Sequence, residues 1–164
     1  MDKFVIMPQK TTFRAILVAW LIVGTLDITG ATIHYLAVGN REPVKILLYI
    51  ASAIVGPRAY EIGPPSMAIL GIVMHYLIAL TWTVIFFTIY PKIPAMAKNR
   101  FVTGFLYGLV IWTVMSQIAV PLTSIGRRPF NPSGALIGAG ILCVAIGIPL
   151  SFMAYRHFYG KQSA

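Results

Sequence analysis

Four stretches of this chain are apolar for long enough to cross a lipid bilayer as helices. The hydrocarbon core is about 30 Å thick and needs about 20 mostly apolar residues at about 1.5 Å each. The stretches cover 15–37, 67–90, 101–120 and 134–155, the second ending at Pro91 and the third at Pro121. Inside lipid every backbone N–H and C=O must be paired within the segment, so such runs fold as helices. The expectation is an all-α membrane protein, one transmembrane domain over 1–164 with four spans.

Composition agrees. Of 164 residues 58% are hydrophobic and only 10% charged, far below the quarter that solvates a soluble domain. The net charge of +9 comes from 13 Lys+Arg in short pieces between the apolar runs. That placement reads as topology signal and contact with lipid headgroups, not as a nucleic-acid surface, which would need a basic stripe on a solvated fold.

Orientation follows from where those cations fall. Lys3, Lys10, Arg14, Lys92, Lys98, Arg100, Arg156 and Lys161 lie on the side of the N-terminus, against Arg41, Lys45, Arg58, Arg127 and Arg128 on the other. Both termini are therefore expected in the cytoplasm, and a partly buried Lys45 would widen the margin. The first span resembles a signal peptide only loosely: the apolar run continues past Thr29-Gly30-Ala31, so an anchored helix is expected.

A fifth apolar piece, 44–55, reaches under about 20 Å and is too short to span. Glu42-Pro43 suits a helix start and Gly56-Pro57 a stop. Lys45, Tyr49 and Ser52 share one stripe, so it reads as a short helix, interfacial or re-entrant, between the first and second spans.

Asp27 is the one charged side chain within a span, about 18 Å from Ala15 and so near the bilayer centre. It has two readings: a proton or cation relay or counter-charge, and a hydrogen-bonded acid gluing helices, with Thr25 and Thr29 near it. His75 comes down the second span to a similar depth. With Gln117 higher in the third span and Cys143 in the fourth, these groups form a polar layer in the outer half of the bundle. The bland alternatives are a satisfied core histidine, an interhelical amide bond and a small apolar cysteine. His34 shares the Asp27 face two turns away. A haem between His34 and His75 would be strained by their different depths, and zinc would lack ligands, so no cofactor or metal is expected.

Small residues mark packing faces: Gly104 and Gly108 in the third span, Gly134 and Gly138 in the fourth. Packing between these two helices is favoured over a dimer interface. Trp20, Trp82 and Trp112, with Tyr90 and Tyr155, occupy ordinary span or belt positions. Arg58 and Glu61 are candidates to pair or cap in the first outer loop. The third outer loop, Arg127-Arg128-Pro129-Phe130-Asn131-Pro132, is a rigid basic turn suited to anionic headgroups. No Ser/His/Asp or Cys/His nucleophile arrangement, carboxylate pair, nucleotide motif or internal repeat is present, and lone Cys143 allows no intramolecular disulfide.

Leu26-Asp27, Ile50-Ala51-Ser52, Val55-Gly56, the run Gly71 to His75 and Leu106-Tyr107-Gly108, taken together, resemble a group of small uncharacterised bacterial four-span inner-membrane proteins, over 21–150. The resemblance implies four spans and a bacterial inner membrane, and carries no activity.

The expectation is a non-enzymatic protein that binds or moves a small solute, ion or lipid at Asp27 and His75. A single bundle is narrow, so transport implies a homo-oligomer. The alternatives are a structural or accessory subunit docked on a partner membrane protein, and a redox or lipid-modifying enzyme using His34 and His75.

Overall fold

The computed structural model describes residues 9–127 and 129–160; Lys3, Arg128 and Lys161, used above to orient the chain, lie outside the described residues. It is all-α, with four helices long and apolar enough to cross a membrane: Thr12–Ala37, Ser66–Lys92, Arg100–Leu122 and Pro132–Tyr159. This is a multi-pass membrane protein. The first span belongs to α1 (Gln9–Ala37) and the second is α4 (Ser66–Ile89) tightening into a last 3-10 turn. Between them lie α2 (Val44–Val55), with the boundaries expected from Pro43 and Gly56, and the one-turn α3 (Arg58–Ile62). A further short turn, α5 (Ala95–Lys98), precedes α6 (Arg100–Val114), and the fourth span combines α7 (Pro132–Leu142) and α8 (Ile148–Tyr159).

Two spans start on asparagine caps. Asn99 Oδ1 accepts from the Val102 N–H at 3.1 Å and Asn131 Oδ1 from the Gly134 N–H at 3.2 Å, each satisfying a donor that the first helical turn leaves open.

Two spans also contain wide π turns, Met115–Ala119 after α6 and Cys143–Gly147 joining α7 to α8. Each lies just ahead of a proline, Pro121 or Pro149. Proline has no N–H, and its ring crowds the carbonyl four residues back, here Gln117 or Ala145. A widened turn relieves that conflict without ending the helix. Pro121 was expected to close the third span; instead the helix passes it and runs on to Leu122.

The fourth span is central, packing against both α1 and α6, while α1 also packs on α4. Towards the terminal side, Phe86, Phe87 and Tyr90 of α4 meet Ile111, Ile146, Leu150 and Ala154 in a buried core closed by Ala19 and Val23 of α1. The outward faces carry exposed Leu, Ile, Val and Phe, such as Leu21, Val73, Phe101 and Leu136, as a lipid-facing surface requires.

Backbones come close where glycine permits. A side chain on Gly104 would strike Gly147 and Ile148, one on Gly108 would strike Cys143, and one on Gly147 would strike Gly104 in return. The expected pairing of the third and fourth spans is therefore present for Gly104 and Gly108, with Gly147 as their partner. Gly138 meets only the Trp112 ring, and Gly134 only its own capping Asn131.

The helix α2 lies along α4, burying Leu48, Ala51 and Ser52, and Gly71 of α4 admits the Leu47 backbone. The chain turns after α2 at Gly56, whose φ of +69° favours glycine. The loop after the third span ties down there, with the Ser124 N–H donating to the Ala53 carbonyl at 3.1 Å. Lys45 is exposed and pairs with Glu42 at 2.8 Å. The Glu42 hydrogen bond and charge hold its ammonium above the ordinary lysine value, so it stays a countable loop cation. Among the described residues Arg58 and Glu61 make no ion pair.

Replacing Gly147 with Ala should destabilise the protein by about 1–3 kcal/mol through overpacking. Gly140→Ala, where a side chain meets nothing within 4 Å, should be neutral. Thermal melting of both variants in one detergent checks the pair.

Candidate functional site

Trp20, Gly24 and Asp27 fall at i, i+4 and i+7 of α1 and so share one face. That face meets the buried stripe of α4 that includes Gly71, His75 and Ala79. Gly24 admits the Tyr76 ring, since an added Cβ would lie 3.0 Å from it. This close approach lets the polar groups of two helices reach one another.

His75 is the centre. Its Nε2–H donates to the Gly24 carbonyl at 2.8 Å, which leaves Nδ1 as the nitrogen turned towards Asp27. The Nδ1 to Oδ2 separation is 4.0 Å, too long for a direct hydrogen bond. The His75 side chain is 9% exposed and that of Asp27 is 19% exposed, so the imidazole is enclosed and the acid is somewhat less so.

Three further groups brace the pair. The Trp20 indole N–H donates to the Tyr76 carbonyl at 2.7 Å, and the Thr25 and Tyr76 hydroxyls meet at 2.8 Å. The Tyr76 ring stands edge-on to Trp20 and to His75, with centroids 5.9 and 5.4 Å away. The sequence singles out neither Tyr76 nor, beyond an ordinary span or belt position, Trp20. The readable signal was the spacing Trp20, Gly24, Asp27, which places an aromatic donor, a gap and an acid on one stripe.

The other expected members of the layer lie elsewhere. Gln117 is exposed on the π turn of the third span and donates to the Ser116 hydroxyl at 3.2 Å. It lines a separate cavity of about 570 Å³ with Tyr49, Trp112, Arg127 and Asn131. Cys143 is buried against Gly108, and its thiol donates to the Phe105 carbonyl at 3.3 Å, tying the third and fourth spans together. His34 is half-buried near the end of α1, two turns beyond Asp27, and among the described residues its ring makes no hydrogen bond. Of the four polar groups, the fold brings together Asp27 and His75.

Among the described residues no three His, Cys, Asp or Glu side chains converge as a metal site would require. Comparison with protein-family models, with curated proteins and with solved structures gives no match.

A double-mutant cycle on Asp27→Asn and His75→Phe should show a coupling of about 0.6 kcal/mol or more, the usual scale for polar contacts between membrane helices. Additive losses in unfolding free energy would mean that the 4.0 Å approach carries no interaction.

Proposed function

We propose that this protein binds protons or a small cationic solute within the bilayer at Asp27 and His75, and passes them across as a homo-oligomer. The observation that carries the reading is the placement of the one intramembrane carboxyl beside an imidazole whose other nitrogen is already committed to a backbone carbonyl. An acid near the bilayer centre is costly, and a protein that keeps one there commonly uses it for relay or for binding charge. The Asp27 side chain is less enclosed than His75, and the Gly24 bond holds the ring in one orientation.

The resemblance noted in the sequence and the excess of Lys and Arg on the terminal side support a bacterial inner membrane with both termini in the cytoplasm. The bundle core is filled by packed side chains, so a continuous path runs between copies of the chain rather than through one.

A second reading, an accessory subunit of a larger membrane complex, is favoured by a shallow apolar groove of about 500 Å³ between α1 and α7, lined by Gly30, Gly140, Ile33 and Ile141 among others. Gly104 and Gly108 are occupied within the chain, so Gly140 is the position that separates the two readings.

Proteoliposomes carrying a potassium gradient and valinomycin provide the test, with proton entry followed by an internal pH dye. Wild-type protein should accelerate entry, Asp27→Asn should abolish the acceleration, and Gly140→Leu should leave it intact. Flux retained by Asp27→Asn sinks the proposal.

A further inference from the structure

A second site lies at the other end of the bundle from the termini. We infer that the cavity bordered by Gly126, Arg127, Pro129 and Asn131 binds an anionic amphiphile, with a phosphate-type head at Arg127 and the adjoining apolar part against Trp112 and Phe130. This stands apart from the Asp27 proposal and shares no residue with it.

Three features support the inference. The first is size: about 570 Å³ falls within the range of sites that enclose small ligands, and matches a headgroup with its glycerol region better than a whole two-tailed lipid. The second is charge. Arg127 lines the cavity and, among the described residues, no acidic side chain does, and the guanidinium is a fork of donors suited to phosphate oxygens. The cavity also opens at the start of α7, where Asn131 and Gly134 line it and the helix dipole adds partial positive charge.

The third is the gradient of polarity. Trp112 lies ten residues before Leu122, the end of the third span, so the cavity reaches about 15 Å into the bundle from its loop. By helix rise its rim carries Arg127, Asn131 and Ala135, its middle Ser116 and Gln117, and its depth Trp112. A ligand with a charged head and an apolar body fits that order. The exposed Ile118, Leu122, Phe130 and Leu136 continue the apolar surface outward, where acyl chains would run.

The cavity is built by features whose purpose is otherwise obscure. Widening of the helix ahead of Pro121 sets Ser116 and Gln117 on its wall. Ser124 ties the loop to the end of α2, whose Tyr49 supplies the facing wall. The shared chemistry has two sources, the headgroup of an anionic phospholipid and a soluble phosphate monoester.

Native mass spectrometry of the full chain, released from micelles doped with phosphatidylglycerol or with phosphatidylcholine, distinguishes the outcomes. Phosphatidylglycerol should remain bound, and Arg127→Gln should reduce its retention about tenfold, the effect of removing one charge-assisted contact. Ala135→Trp should fill the cavity and abolish retention, with thermal melting showing that the variant is folded. Excess glycerol phosphate should leave the lipid in place, because the apolar part adds to its binding; displacement by this soluble phosphate monoester would overturn the amphiphile and leave only an anion site at Arg127. Equal retention of the two lipids, or retention by Arg127→Gln at the wild-type level, overturns the inference.

Discussion

Helices in lipid gain no hydrophobic drive from meeting one another, so their association depends on how closely backbones approach. In this protein the approach is closest where α6 crosses the fourth span, with Gly104 and Gly108 facing Gly147 and Cys143. That crossing holds the third span to the fourth, and the fourth packs on α1. Gly71 does the same for α2, which is too short to be held by the bilayer and rests on α4. The bundle is therefore organised by absent side chains as much as by present ones.

Polar contacts sit on that framework. Trp20, Thr25 and His75 each bridge α1 and α4, two of them through backbone carbonyls that are already acceptors within their own helices. Tyr107 does likewise at the terminal-side half, its hydroxyl donating to the Trp82 carbonyl at 2.6 Å between α6 and α4. A carbonyl has two lone pairs, so a side chain from the next helix can bond to it without disrupting the helix. Among the described residues Asp27 makes no such bond, and the His75 ring stands 4.0 Å from its carboxyl.

Much of the architecture was legible because hydropathy and helix length are local properties. The span count, the short helix at 44–55 and the pairing of Gly104 and Gly108 with the fourth span all rest on runs and spacings within single segments. The pairing of Asp27 with His75 was accessible through depth alone, since both sit at similar heights in helices that neighbour each other. Depth could not distinguish Gln117 or Cys143 from that pair. Which way each faces depends on helix rotation, and rotation is set by the neighbours a helix packs against.

The prolines show the same division. By itself the sequence determined that four helices cross a bilayer, that basic segments flank them, and that one carboxyl lies between the two surfaces, because lipid leaves an apolar run of that length no other stable form. It marked Pro121 as the end of the third span and gave no sign of what Pro149 does inside the fourth. Only the tertiary structure decided that the helices continue through widened turns, that one turn lines a cavity with Arg127, and that the other receives α6. A missing N–H is a fact about one residue, whereas the use made of the resulting distortion depends on which helix lies beside it.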